Sequence, residues 1–516
     1  MHVTTTAADT GPMTGVDAVS STSEVQPSLR GRALRASAWV LASKPLGMSI
    51  QLLRSLILTR LLFPEAFGLM ALVGVVIQGL AMCSDVGIGP NIVQSRRGDD
   101  AKFLQTAWTL QIVRGFCLWL ICCGLAWPVA LFYGQPMLAS LLPVAGLAIV
   151  IGGFNTTAWA THDRDMKRGR LTIIAYSVQL ANLIVMIAAA WALRSVWALV
   201  IGSLSGNVLN VMLGHLFLPG VRHRFRWERE AVRELVSFGK WIFISTLLTF
   251  FAMQMDKLML GKLISTELLG IYAIALVLAN LPRELVQQIS SLVLFPALAE
   301  KFRVDRRQMH DRLARARGVV LRVGLLLTVG MGAIAPAFFG YLYDPRYEAA
   351  GWIAQVLAVS VWMTVLNAST GYALLALGDS RALATGNLFN VLVTVVAALA
   401  GFQWFGLAGF IIGYAAGTAS GEFVQGMWLR RYGIGVLRQD AAFTLIGLVC
   451  GAAVLLVVQA VKQMGTPLQP WMGALIGLAV WTGLVAALVP QLKRELAPQL
   501  SILPYIGLIR RSWSHV

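Results

Sequence analysis

The spacing of apolar and polar positions divides the chain into fourteen apolar runs. They lie at about 35–59, 66–89, 104–132, 138–160, 171–192, 196–218, 237–261, 268–298, 318–341, 348–377, 382–402, 404–429, 441–462 and 468–490. A hydrocarbon core about 30 Å thick needs about 20 residues of helix, and charge clusters, Pro and Gly punctuate the runs at that interval. The pattern predicts an all-α polytopic membrane protein with 14 transmembrane helices. Two stretches carry charge at lipid depth: Gln51–Met70 (QLLRSLILTRLLFPEAFGLM) and Phe250–Tyr272 (FFAMQMDKLMLGKLISTELLGIY). A shift of 202 positions lays Arg60 on Lys262, Glu65 on Glu267, Gly68 on Gly270, Ala71 on Ala273 and Arg54 on Asp256. A repeated helix that buries opposite charges in its two copies is costly, which points to function.

The repeat continues with slightly larger offsets. PVALFYG at Pro128 matches PAFFGYLYD at Pro336, Arg114 falls on Arg322, Asn155 on Asn367, and Gly202 and Gly206 on Gly413 and Gly417. Each copy holds six helices, and an even number returns the chain to its starting side, so the copies are expected to be parallel repeats about an axis along the membrane normal. The expected division is a disordered cytoplasmic tail (1–29), an N-lobe (30–218), a cytoplasmic interfacial linker (219–236) and a C-lobe (237–432). Two helices outside the repeat (433–492) and a cytoplasmic tail (493–516) complete it.

Composition agrees with the pattern. The 516 residues are 57% hydrophobic and only 13% charged, too apolar for a soluble protein of two or three domains. The net charge of +18 falls in short clusters between apolar runs without interleaved base-stacking aromatics, so nucleic acid is not the expected partner. With the N-terminus in the cytoplasm, 31 of the 42 Lys and Arg lie in inward tails and loops and five lie outside: Arg60, Arg194, Lys262, Arg346 and Lys462. That bias follows the positive-inside rule and puts both termini in the cytoplasm. The five cysteines sit within apolar runs at spacings that suit neither a metal site nor a disulfide framework. No HExxH, Walker A or GxSxG pattern calls for a metal, a nucleotide or another cofactor. Outward loops are turns, too short to host catalysis. The linker PGVRHRFRWEREAVRELVSFGK at Pro219 mixes basic and aromatic residues, as a helix lying among the cytoplasmic headgroups would.

Charges within a bundle face its interior or a wet cavity, because lipid offers them no hydrogen bonds. Lys44, Gln51 and Arg54 fall within about 80° of one another on a helix turning 100° per residue. Asn280, Glu284, Gln287 and Ser291 recur every three or four residues, beside Arg283. Six cations within the runs (Lys44, Arg54, Arg114, Lys257, Arg283, Arg322) outnumber four anions (Asp85, Asp256, Glu284, Glu422), so a net cationic cavity is expected. Such a cavity suits a phosphate-bearing or acidic-sugar cargo. Arg114 and Arg322 either line it or snorkel to headgroups. Asn155, Asn367 and the other amides act as ligands or as interhelical bonds. Asp85 either gates or ends its helix, and Asp256 either pairs with Arg54 as a latch between the lobes or couples transport to an ion.

Fourteen helices in a six-plus-six repeat, with a basic cavity, resemble the multidrug/oligosaccharidyl-lipid/polysaccharide superfamily. The wording RSLILTRLLFPEAFGLMAL, followed by DVGIGPNIVQ, is similar to its polysaccharide transporter branch of Wzx-type flippases, as is MDKLMLGKLISTELLGIYAIA with Asp256. The resemblance covers roughly residues 30–430 and implies a non-enzymatic flippase of the bacterial inner membrane. Its cargo would be an undecaprenyl-pyrophosphate-linked oligosaccharide for exopolysaccharide or lipopolysaccharide synthesis, moved past membrane lipids with H⁺ or Na⁺ coupling through Asp256 or Glu284. A polysaccharide polymerase and export machinery would be its partners. The rivals are a peptidoglycan lipid-precursor flippase, a drug/cation antiporter of the same superfamily and a membrane-bound polymerase or ligase. An antiporter calls for an acidic cavity, and a polymerase or ligase for a large outward loop.

Overall fold

The computed structural model describes residues 29–84, 88–165, 168–290, 309–463 and 477–488, with Leu475 and Pro490, and contains no strand among them. The first half comprises α1 (Leu29–Leu61), α2 (Pro64–Cys83), the short α3 (Ile88–Gln94), α4 (Ala101–Tyr133), α5 (Met137–Gly153), α6 (Ala158–Arg164), α7 (Arg168–Leu193) and α8 (Trp197–Phe217). The second comprises α9 (Arg229–Leu263), α10 (Thr266–Ile289), α11 (Met309–Leu342), α12 (Ala350–Leu377), α13 (Ser380–Arg431) and α14 (Leu437–Gln463). A further apolar helix covers Gly477–Leu488. Among the described residues eight helices are long and apolar enough to cross a membrane, and nine if α5 and α6, bent by 56°, count as one. The chain is therefore a multi-pass membrane protein. The N-terminal tail, the C-terminal tail, Asp85, Ser291 and the basic cluster 301–308 lie outside the described residues.

Local chemistry sets the ends of these helices. Asp100 caps α4 by accepting from the Lys102 amide at 3.0 Å, and Gly134 closes it in the left-handed conformation (φ 66°). Gly406 (φ 59°, ψ −140°) breaks α13 into two arms. A Cβ built on Gly409 would strike the Gly401 carbonyl, one on Gly413 the Ala397 carbonyl, and one on Gly417 the Thr394 hydroxyl. In each pair the two residue numbers add to about the same total, so the arms run antiparallel with their backbones in contact. In lipid, where apolar side chains gain nothing by leaving their solvent, such close approach of small residues is what holds two helices together.

The halves meet tightly at the Arg60 end. Leu62, Leu69 and Leu72 share one buried cluster with Leu269, Tyr272, Phe339 and Tyr347. The contacts there are reciprocal. A Cβ on Gly68 would strike the Thr266 carbonyl and one on Gly270 the Pro64 carbonyl. Arg60 donates to the carbonyl of Leu342, at the end of α11, at 3.2 Å, and Lys262 donates to that of Phe132, near the end of α4, at 2.6 Å. In each case a cation of one half meets the negative end of a helix dipole in the other. The Tyr343 hydroxyl reaches Ser55 Oγ at 3.1 Å, and the Tyr133 hydroxyl reaches the Leu258 carbonyl at 3.3 Å.

At the Arg97 end the packing divides. One buried cluster joins Leu313, Leu374 and Leu429 of the second half, while another joins Ile92, Phe103 and Leu104 of the first half to Ala231 and Leu235 of α9. Residues 219–228, expected as an interfacial helix, are not helical. Pro219 and Gly220 stop helix propagation, and side chains of α4 take the backbone bonds that a helix would have made. Gln105 donates to the Arg222 carbonyl at 2.9 Å, and the Arg226 amide donates to Thr109 Oγ1 at 3.0 Å. From Arg229 the helix runs unbroken through the expected boundary at 236/237.

Candidate functional site

The charged stripes of α1 and α10 meet, but not as the repeat register implied. Lys44 Nζ lies 2.7 Å from Glu284 Oε2 across the halves, with both side chains about one-third exposed (35% and 32%). Asp256 is 5% exposed and accepts from the Tyr272 hydroxyl at 2.7 Å, leaving Oδ1 without a bond. The expected contact with Arg54 is not made. Arg54 is half-buried on α1 and forms no hydrogen bond or ion pair among the described residues. The reason is local: Tyr272, one helix away, already supplies Asp256 with a donor. Between these pairs Gln254 Nε2 donates to Gln78 Oε1 at 2.6 Å, and Lys257 donates to Gln254 Oε1 at 2.9 Å, joining α9 to α2.

A polar cavity of about 260 Å³ opens among α9, α10, α12 and α13. Arg283, Gln287 and Asn367 line it, with Asn387, Asn390 and Gln425, and its described lining contains no carboxylate. Arg283 Nη1 approaches Asn280 Oδ1 at 3.5 Å, a marginal bond, so its guanidinium retains most of its capacity to bind. One cation among several amides offers an anion its counter-charge and sugar hydroxyls their donors and acceptors.

The other expected site residues lie elsewhere. Gln51 stays on α1, half-buried and outside the cavity lining. Arg114 donates to Ser84 Oγ at 3.0 Å and to the Ala81 carbonyl at 2.7 Å, binding the exposed carbonyls at the end of α2. Asn155, in the α5/α6 bend, accepts from Asn210 at 3.1 Å as an interhelical bond. Arg322 lies over the Phe443 ring at 5.7 Å. Among the described residues no group of His, Cys, Asp and Glu could hold a metal ion.

Sequence reasoning missed the most buried charge among the described residues. Arg317, assigned to a cytoplasmic loop, is 0% exposed within α11. It binds Ser369 Oγ (3.0 Å), Thr370 Oγ1 (2.8 Å), Glu422 Oε1 (3.2 Å) and Asp440 Oδ1 (2.6 Å). One guanidinium thus joins α11, α12, α13 and α14. Glu422, a carboxylate in an apolar run, was the available signal, because such a group requires a cation. At the Arg97 end Arg97 bonds Glu228 (2.7 Å) and Asp100 (2.9 Å). These carboxylates raise its pKa above the usual arginine range, and Arg97 in turn holds that of Asp100 below the usual carboxylate range.

The family model for "Polysaccharide biosynthesis protein" matches residues 57–351, more than half the chain. The chain belongs to that family. It is similar to the amylovoran biosynthesis protein AmsL of Erwinia amylovora, 22% identical over 283 residues, 54% of this chain and 71% of that protein. It is also similar to the lipopolysaccharide biosynthesis protein WzxC of Escherichia coli (strain K12), 20% identical over 392 residues, 75% of this chain and 78% of that protein. Among solved structures, the lipid II flippase MurJ in an inward closed conformation matches with a TM-score of 0.69 at 12% identity, covering 89% of this chain and 99% of that one. At that identity the likeness speaks to the fold.

Proposed function

We propose that this family member is a flippase that carries a polyprenyl-pyrophosphate-linked oligosaccharide across the bacterial inner membrane by alternating access. The repeat unit would supply exopolysaccharide or lipopolysaccharide synthesis. The cargo class rests on family membership and on relatives named for amylovoran and lipopolysaccharide biosynthesis. The mechanism rests on one observation, the unequal closure of the two ends. The Arg60 end is filled by a buried apolar cluster and pinned by reciprocal backbone contacts. Toward the Arg97 end the start of α9 stays packed on the first half, and α10 is tied to α1 by a partly solvated ion pair, Lys44–Glu284, which at that exposure contributes no more than about 1 kcal/mol. The Arg97 end is therefore the one that opens at little cost. By the charge bias it faces the cytoplasm, with both termini.

In this reading the chain has fourteen spans, the arms of α13 counting as two, arranged as an N-lobe, a C-lobe and two added helices. The reciprocal contacts of Gly68 with Thr266 and Gly270 with Pro64 support parallel repeats in the 202-residue register. Arg54 and Arg283 receive the pyrophosphate or an acidic sugar, Gln287 and Asn367 bind sugar hydroxyls, and the polyprenyl tail stays in lipid. Asp256, bonded to Tyr272, and Glu284, bonded to Lys44, are the candidates for H⁺ or Na⁺ coupling. The released unit passes to a polysaccharide polymerase and export machinery.

Proteoliposomes holding the purified chain and a fluorescent lipid-linked oligosaccharide test this. An imposed H⁺ or Na⁺ gradient should move the label to the opposite leaflet, and Arg283→Gln should abolish that movement while folded protein remains. No movement under any gradient would overturn the reading. Loss of cell-wall synthesis on depletion, with capsule or slime production intact, would replace it with a peptidoglycan-precursor flippase.

A further inference from the structure

The non-helical strap 218–228 leaves the end of α8 and crosses back over the first turns of α4. Its contacts with Gln105, Trp108 and Thr109 lie about 6–12 Å along α4 from Ala101 at 1.5 Å per residue, which places the strap at the depth of lipid headgroups. Its inner side is firmly seated. His223 stacks on Trp108 (centroids 5.1 Å apart, 18° between planes), and its Nε2 lies 2.8 Å from Thr156 Oγ1. Just beyond, Glu228 is bound to Arg97 and Glu234 to Ser95 at 2.8 Å. Two of the three carboxylates near the strap are thus engaged inward, while the third, Glu230, is exposed but outnumbered by five arginines.

Its outer side is strongly basic. Arg222, Arg224, Arg226, Arg229 and Arg233 are all exposed, and their side chains form no ion pair or hydrogen bond among the described residues. Between them Phe225 is 70% and Trp227 is 55% exposed. Leu216 and Phe217, at the end of α8 just before the strap, are exposed as well. Exposed apolar, aromatic and unpaired guanidinium side chains together are the chemistry that an interface between acyl chains and headgroup phosphates accepts.

We infer that this strap is a binding surface for the phosphates of anionic phospholipids in the leaflet it borders. It selects them over zwitterionic lipids and holds the first half of the molecule to the membrane surface while the second half moves. The seating on α4 matters because a pre-ordered row of guanidiniums binds phosphate without first losing the freedom of a flexible loop. A single Arg near an anionic surface contributes a few-fold in affinity, so three should contribute at least about tenfold.

The test uses the full chain in nanodiscs of phosphatidylcholine and phosphatidylglycerol, followed by measurement of the lipid ratio retained after mild detergent extraction. The triple variant Arg222→Gln, Arg224→Gln, Arg226→Gln should lose at least about tenfold of the phosphatidylglycerol enrichment. A control of equal charge change at the exposed Arg170, Arg381 and Arg430 should keep it. These positions are all on the surface, and an unchanged melting temperature checks folding. Equal enrichment in the triple variant and the wild type would overturn the inference. So would displacement of the bound lipid by soluble inorganic pyrophosphate but not by sulfate at matched ionic strength, which would assign the strap to the pyrophosphate of a cargo lipid. Neither result depends on transport, so the inference stands or falls apart from the flippase reading.

Discussion

At Asp256 and Arg317 the same physical demand, a partner for a buried charge, is met in two ways. Asp256 relies on one neutral donor, so Tyr272→Phe should leave a buried carboxylate without its bond and destabilise the fold by about 1–3 kcal/mol, read as a lower melting temperature in detergent. Arg317 relies on two carboxylates. Removing it alone, as Arg317→Leu, should cost about 3–5 kcal/mol, because Glu422 and Asp440 then remain buried and uncompensated. Replacing all three with apolar residues of similar size should recover most of the loss, and failure to recover would show that the cluster stabilises beyond its charge balance. Neither partner was legible in the sequence. Apolar periodicity marked Asp256 and Glu422 as problems, but nothing in the pattern singled out Tyr272, and Arg317, one of a run of basic residues before an apolar stretch, looked like a topology signal.

The elements followed the sequence more closely than the contacts between them did. Among the described residues apolar runs and glycine breaks coincide with helices and their ends because both act locally, whereas the path of residues 219–228 depends on side chains of α4 more than a hundred positions away, beyond the reach of any local pattern. That path has a pH signature. Burial, with His215 close by, lowers the His223 pKa to about 4, below the usual histidine value of 6.5. The docked ring is therefore neutral, and acid favours release: docking should weaken as pH falls from about 6.5 towards 4. Hydrogen exchange at residues 221–227 should accelerate over that range. His223→Phe, which keeps the stacking, should flatten the dependence. At the other end of the molecule, Gly270→Ala sets a Cβ against the Pro64 carbonyl and should part α2 from α10. An impermeant maleimide should then label a cysteine placed at Ala66, buried in the seam cluster, several-fold faster than in the glycine parent.

For the whole molecule, the two ends differ in how costly they are to open. The reversal Lys44→Glu with Glu284→Lys should restore most of the transport lost in either single variant. Each single loss should be no more than about fivefold, as fits a pair this exposed, whereas Arg283→Gln should be far more damaging. The register of 202 residues lays Gly68 on Gly270, but only the structure shows that both glycines lie at the seam of the Arg60 end, each against the other half. The pairing of Arg54 with Asp256 did not follow from that register, since a repeat identifies equivalent positions without saying which of them touch. The fold of α13 also bears on how the protein is made. From Arg381 to Glu422 the chain contains no charged residue, and its turn at Gly406 presents Trp404 (77% exposed) and Phe405 (72%) outward. No charged group has to cross the bilayer with that tip. Under the fourteen-span reading, the segment is suited to leave the insertion machinery as one prefolded hairpin, zipped by its glycines before its neighbours arrive and with two aromatic rings at its tip.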